Sequence, residues 1–548
     1  MKPPASSGLL DEAVRHLADG QTEPAAALAR RVLEIDPGSS AAWGVVAMAS
    51  EASGRFEEAL SAYEAALALA PDDPGLVTGL ARLALGMDMA AAAIGMARQA
   101  LALRPGDTEA TCLLARALAR EGEIGAATRT LQVHLNEHPE DAAVWCALGV
   151  MVLETGDFDP ARTFLEEALR IAPDLTAARF NLANLFVTLG QAERALQVLE
   201  PIAEAGLMPQ ERAVLKFTRA CTRLQTGDLA RGWRDYEARN DPAFPGAAEF
   251  EIAGSRWRPG QPLKGRNLLL VGEQGLGDEV LFGSLIPDLL ERRDRPASIA
   301  LAVEPRLTSL FQRSFPEVQV VPHATVTQGG RRMRRLAASP GGARATSWTP
   351  IADLLQDLRP SLSDFPNRTH FLRADPVRLD AWRSWLSGRG TGLKVGLLWK
   401  SGLMSGGRSL SFPAFEAWKP VLETPGVDFV NLQYGDTAAE VAYAGGRLGV
   451  SLHEPTGLDL KQDLEGVAAL SCALDLVIAV SNASFNLAGA CGARSWLLTA
   501  PDAWTRLGSP RYPWYPQVRV FPSEQAGDWA VVLSRVAQAL AQEAAQEA

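Results

Sequence analysis

The stretch VWCALGVMVLETGDFDPARTFLEEALRIAP, residues 144–173, holds one whole unit of a pattern that governs the first two hundred residues. Its closing proline, Pro173, is the last of five (Pro37, Pro71, Pro105, Pro139, Pro173) spaced by 34 residues each time. Twelve residues before each stands an alanine, at Ala25, Ala59, Ala93, Ala127 and Ala161, and Ala195 continues the series. Five before that comes Gly20, Gly54, Gly122, Gly156 or Gly190, with Asp88 the one departure. A fixed period of this length signals stacked repeats. Each mark has a physical job. The glycine ends a first helix, where a left-handed residue is needed. The alanine lets a second helix approach the first closely, and the proline stops that second helix. Trp145, Leu148 and Gly149, then Phe158, Ala161, Leu165 and Ala168, supply the helical apolar spacing.

These residues resemble the tetratricopeptide (TPR) repeat, whose W-x2-L-G signature is whole at Trp145-Leu148-Gly149. Six units fit residues 1–206. A degenerate seventh and a connector follow over 207–264, where Leu207 replaces the proline and Gly227-Asp228 falls out of phase. Stacked helix pairs leave a concave face suited to another polypeptide, although such an array can equally dimerise a protein or space its parts.

The chain has 548 residues, too many for one ordinary core. Apolar content of 47% and charged content of 21% belong to a folded protein. A net charge of −11 argues against a nucleic-acid backbone or an anionic membrane as main partner. No signal-peptide core follows the initial MKPPASSGLLDEAVRHL, and the best apolar run, 466–480, is broken by Asp475, so a cytoplasmic protein is expected. Five scattered cysteines and six histidines show no metal-ligand spacing, which predicts reduced thiols and no metal site.

Beyond residue 265 the pattern changes to apolar runs bounded by Gly and polar residues. These are NLLLVGE (267–273), SIALAVE (298–304) and VQVVP (318–322), then KVGLLW (394–399), VDFVNLQ (427–433), DLVIAV (475–480) and SWLLT (495–499). They read as buried parallel strands in two α/β halves, 265–380 and 390–548. Ligands in such sheets bind beyond the carboxyl ends of the strands. At the first such end stands Gly272-Glu273-Gln274-Gly275-Leu276-Gly277-Asp278-Glu279, where glycines bring backbone amides and a helix N-terminus toward a ligand. It is no Walker loop. As a dinucleotide fingerprint it lacks the third glycine, although Glu304 stands where a ribose-binding acid would. Asp278 can serve there as a base or simply cap the helix. In the second half, Lys400 and Arg408 follow a strand and suit a diphosphate or phosphodiester. Ser481, Asn482, Ser484 and Asn486 precede or open a helix of small residues. The run Arg331-Arg332-Met333-Arg334-Arg335 is expected to be a mobile surface loop, more readily than an anion contact. The Ala-rich closing helix from Asp528 is expected to pack on the domain.

In order, GEQGLGD, WKSG, VNLQYG, DLVIAV with NLAGACG, and PWYP resemble the TPR-linked glycosyltransferases related to bacterial heptosyltransferases. Gly232-Trp233-x-x-Tyr236-Glu237-x-Arg239 is also typical of that group, and within it the chain is most like cytosolic TPR proteins that glycosylate flagellin. The resemblance implies an α-solenoid of TPR repeats followed by an α/β GT-B glycosyltransferase domain of two Rossmann-like halves. It implies a metal-independent transfer of sugar to Ser or Thr of a protein acceptor, flagellin. Asp278 maps to the catalytic acid, with Glu279 the second choice as base. Lys400 maps to the phosphate-contacting lysine, and Gly275, Gly277, Arg408, Gln433, Ser481, Asn482, Ser484 and Asn486 make up the donor-binding set. Ser481 and Asn486 replace an aspartate and a histidine frequent in relatives, which points to an unusual donor, a CMP-linked nonulosonic acid, ahead of a UDP- or other NDP-sugar. No cofactor is expected. The alternatives are a non-catalytic TPR adaptor or chaperone and a transferase for lipid or polysaccharide acceptors.

Overall fold

In a computed structural model, residues 4–273, 275–328, 331–336, 346–401, 412–501 and 503–547 are described. The chain divides into two compact units, one running to Leu185 and one from Phe186.

The first unit is built of antiparallel helix pairs. The second helices Thr22–Ile35, Phe56–Leu69, Ala90–Leu103, Ile124–Glu137 and Phe158–Ile171 each end two residues before a repeat proline. Their fourth residues, Ala25, Ala59, Ala93, Ala127 and Ala161, are all fully buried. The turn glycines Gly20, Gly54, Gly122 and Gly156 have φ between +73° and +84°. Asp88 takes the same left-handed turn at φ +62° and pairs outward with Arg120 at 2.7 Å. A further 34-residue period caps the first helices. Ser39, Asp73, Asp107 and Asp141 stand 34 residues apart, and each side chain caps the first helix of a unit by accepting backbone N–H bonds. Gly149 explains its place in the W-x2-L-G signature. A Cβ there would lie 2.8 Å from Leu165 Cγ and 3.3 Å from the Ala161 carbonyl. Gly149→Val is therefore expected to destabilise this unit by about 1–3 kcal/mol through overpacking, read as an earlier first transition in thermal unfolding.

The second unit opens with the helices Ala192–Leu199, Pro209–Gln225 and Leu229–Tyr236, the last two forming a hairpin turned at Gly227 with φ +84°. Two sheets follow. The first contains β1 (Ala248–Glu251), β2 (Ser255–Arg256), β3 (Asn267–Val271), β4 (Ser298–Val303), β5 (Gln319–Gln328), β6 (Arg331–Leu336) and β7 (Ser347–Pro350), ordered β1-β6-β5-β4-β3-β7-β2. All its pairings are parallel except β5 with β6. The second contains β8 (Leu393–Leu398), β9 (Val427–Asn431), β10 (Leu452–His453), β11 (Leu476–Val480), β12 (Ser495–Thr499) and β13 (Arg519–Pro522). It is parallel throughout, ordered β10-β9-β8-β11-β12-β13. The order reverses between β3 and β7 in one sheet and between β8 and β11 in the other, the points where crevices open in such sheets.

The arginine run 331–335 is not a loop. It is strand β6, flanked by β5 and β1, with Arg331 held by Glu249 at 2.7 Å and Arg335 by Glu251. Alternation turns Arg334 to the other face, where it is buried. One continuous apolar core joins the hairpin residues Leu224, Trp233 and Tyr236 to both sheets. A second core lies between the other face of β8–β13 and the closing helix Trp529–Glu547, which buries Val532, Leu533, Val536 and Leu540.

Candidate active site

The helix Leu276–Phe282 follows β3, and the helix Ala483–Ala490 follows β11. Their N-terminal ends meet. Asn486 donates from Nδ2 to the Gly277 carbonyl at 3.1 Å, and a Cβ on Gly277 would lie 3.3 Å from the Ala483 backbone. Only glycine fits this approach without displacing a neighbour. Tyr515 in turn donates its hydroxyl to Asn486 Oδ1 at 3.4 Å.

Asp278 sits at this junction, half-buried, in the first turn of its helix. Its Oδ2 accepts the Gly275 N–H at 3.0 Å, so it does cap the helix, reaching back from the third helical position. Burial pushes its carboxyl up to about 6 against that hydrogen bond, with the charges of Glu273 and Glu279 adding to the rise. The surroundings explain the desolvation. Tyr236, Tyr512 and Tyr515 are fully packed, their hydroxyl pKa values raised first by burial and further by the Asp278 charge. Tyr512 and Tyr515 meet Phe485 of the facing helix edge to face and lie tilted against each other. Tyr515 stands in the PWYP motif, whereas Tyr512 lies just before it, and the sequence attached no role to either.

Glu279 does not share the site. It is fully buried, accepting the Glu304 N–H at 2.7 Å through Oε2 and pairing through Oε1 with Arg334 at 2.9 Å and His323 at 2.8 Å. Both of its oxygens are thus engaged by protein groups, unlike the half-buried Asp278. Glu304 is occupied too, bracing Arg306.

Beneath the loop lies a second buried ionic cluster. Arg239 contacts Glu273 at 2.6 and 2.9 Å and Asp353 at 2.7 Å, and all three are nearly inaccessible. Burial opposes the guanidinium charge, but Glu273 and Asp353 outweigh it and raise its pKa. Asp353 also takes Arg256 at 2.8 Å and Thr349 at 3.2 Å, while Glu273 takes the Ala352 N–H at 2.8 Å. The spacing G-W-x-x-Y-E-x-R thereby gains a physical meaning in this chain. Trp233 donates to the Arg359 carbonyl at 2.8 Å, and Arg239 bolts the helical hairpin to the GEQGLGD loop.

On the second sheet, Gln433 is buried and spends its amide on backbone, accepting from Trp399 N–H at 3.1 Å and Lys400 N–H at 2.9 Å and donating to Tyr434 at 3.1 Å. It shapes the loop after β8 and has no arm left for a ligand through that oxygen. Lys400 pairs with Glu440 and donates to the Asp436 carbonyl at 3.1 Å. The Glu440 carboxyl, raised by burial, is lowered overall by that lysine. Asn482 caps its helix through the Phe485 N–H at 2.9 Å and ties the Lys400 carbonyl at 3.3 Å. Ser481 is exposed at the end of β11, Ser484 is buried and Gly275 is exposed. Arg408 lies outside the described residues. Thus Gly275, Gly277, Asp278, Asn482 and Asn486 are brought together, with Lys400 linked through Asn482. Glu279 and Gln433 face elsewhere. Among the described residues no group of three or more His, Cys, Asp or Glu could hold a metal ion, and no helix is long and apolar enough to cross a membrane.

The comparisons agree with the first half of this picture and extend over the second. The tetratricopeptide repeat family matches residues 16–83, 50–96, 84–149 and 152–212, and a second tetratricopeptide description matches 124–176. Among solved structures, PilW, a widely conserved type IV pilus biogenesis factor, is 19% identical with a TM-score of 0.32 over 36% of this chain and 92% of its own. A thermophilic TPR protein from Thermus thermophilus is 21% identical with a TM-score of 0.31, covering 33% of this chain and 99% of its own. Protein FlbA of Caulobacter vibrioides is 43% identical over 513 residues, 94% of this chain and 86% of that protein. An identity of that size running through the repeats and both sheets means that this chain belongs to the same family as Protein FlbA of C. vibrioides, a family of TPR proteins with a C-terminal α/β domain.

Proposed function

We propose that the second unit is a glycosyltransferase of GT-B type, its two mainly parallel sheets being Rossmann-like halves, and that the repeats hold its protein acceptor. The observation that carries this reading is the Asp278 carboxyl. It stands where the strand-to-helix turns of the two sheets meet, and its pKa is pushed up to about 6. A base poised near neutrality suits removal of a proton from a serine or threonine hydroxyl. As that oxygen bonds to the anomeric carbon, the carbon–oxygen bond to the nucleotide phosphate breaks and the nucleotide leaves with the bonding pair. Lys400 and the N-terminus of helix Ala483–Ala490 are the groups to stabilise the phosphate charge, the lysine exchanging Glu440 for the ligand. From the resemblance, the acceptor is flagellin and the favoured donor a CMP-linked nonulosonic acid.

A specific observation favours a second reading. Lys400, Gln433 and Asn482 already have protein partners, as a non-catalytic adaptor would permit. Incubation of the full chain with flagellin and CMP- or UDP-sugars, followed by intact mass, separates the two. Transfer is expected to add whole sugar masses, to survive EDTA, and to vanish in Lys400→Ala while flagellin binding persists. Flagellin bound without mass gain from any donor would select the adaptor.

A further inference from the structure

Between the third and fourth helix pairs, the second helices Ala90–Leu103 and Ile124–Glu137 stand apart and leave a groove of about 630 Å³. Its floor is apolar, made by Leu114 and Leu118 of the helix Thr108–Arg120, with Leu101 on one bank and the largely exposed Val133 on the other. Arg98 rises from the first bank and Arg129 from the second, both exposed.

The repeat itself shows what Arg98 lacks. At the seam between the first two units, the second helices are tied by Arg30 with Glu58 and by Arg55 with Glu23. Arg98 is the equivalent of Arg30, two periods of 34 residues further on, and the position equivalent to Glu58 is Ala126. The position equivalent to Glu23 is Ala91. Among the described residues no carboxylate pairs with Arg98 or Arg129. Glu137 lines the far end of the groove, and His134 is turned inward, bound to Asp141 at 2.9 Å and Thr111 at 3.2 Å.

We propose that this groove, on the side of the array formed by the second helices, docks an acidic amphipathic helix of a partner polypeptide. Two parallel ridges with an apolar trough accept a third helix whose i, i+3 and i+7 side chains enter the trough. Carboxylates on both flanks of that helix replace the partners that Arg98 and Arg129 lack, and its apolar face covers Val133 and Leu101. The site is independent of sugar transfer and stands or falls without it.

The test uses the full chain and a fluorescent, capped alanine-based peptide of about fifteen residues, long enough to be partly helical. It carries leucines at i, i+3 and i+7 and glutamates on both flanks, and anisotropy reads its binding. Saturable binding is expected, weakened at least about tenfold by Arg98→Glu with Arg129→Glu. Both positions are exposed, and circular dichroism verifies that the variant remains folded. The same peptide with lysines for glutamates is expected not to bind. No saturable binding below about 1 mM, equal binding of the lysine peptide, or equal affinity in the variant would overturn the proposal. So would a self-association of the wild-type chain that the double charge reversal abolishes, since a second copy would then be the occupant.

Discussion

Arg239→Met is expected to destabilise the C-terminal unit by about 3–5 kcal/mol, the cost of leaving a buried charge without its partner. The effect should be this large because Glu273 has so little else. Asp353 keeps Arg256, Thr349 and Asn240 when Arg239 is gone, whereas Glu273 keeps the Ala352 N–H alone. The loss is readable as a lower urea midpoint for the transition that follows Trp233 and Trp257 burial. Adding Glu273→Gln to Arg239→Met should restore part of the stability, because the orphaned charge disappears. A loss below about 1 kcal/mol, or no recovery in the double variant, would show that the pair is energetically idle.

Much of this architecture could be read from spacing, because spacing is what the physics imposes. The 34-residue recurrence of glycine, alanine and proline reports positive-φ turns, zero-clearance helix contacts and helix stops, each of which tolerates few residue types. The apolar runs became β3, β4, β5, β8, β9, β11 and β12 because a strand covered on both faces must be continuously apolar. The arginine run misled for the complementary reason. Strand β6 pairs at both edges yet carries charge on both faces, satisfied by Glu249 and Glu251 from β1 on one side and by Glu279 on the other. No window of sequence around residues 331–335 contains those partners.

The site was legible only where backbone geometry forces the residue. Gly275, Gly277 and Asp278 follow from a strand running into a helix, and Asn482 from the need for a cap. Glu279 is turned by about 100° from Asp278 around the helix, which carries it to Arg334 and His323. Gln433 gives its side-chain oxygen to the backbone of the loop after β8, a partner no sequence window shows. Tyr512 and Tyr515, which make the environment of Asp278 apolar, are more than two hundred residues away along the chain, and only the meeting of the two helices brings them there.

That environment makes Asp278→Asn the most informative substitution. On the transferase reading it is expected to lower turnover by about 10²–10⁴, the usual worth of a positioned base, while acceptor binding is unchanged. In the wild type, turnover should rise with pH through about 6, where the carboxyl loses its proton, and level off above it. Asparagine can still accept the Gly275 N–H, so the helix keeps its cap. Stability should move the other way from activity. The folded pKa of Asp278 is raised from 3.8 to about 6, so its favourable contribution is present below pH 3.8 and is lost as pH rises through 6. The asparagine variant has no charge to bury. It should match the wild type near pH 4 and exceed it above pH 7. The full shift corresponds to at most about 3 kcal/mol, and partial exposure of the residue reduces this to about 1. Melting curves of the two proteins from pH 4 to pH 8 measure this difference without any donor or acceptor. A flat difference would mean that the carboxyl is not desolvated as its aromatic surroundings require. Retained transfer in a variant that shows the expected stability profile would mean instead that another group removes the hydroxyl proton.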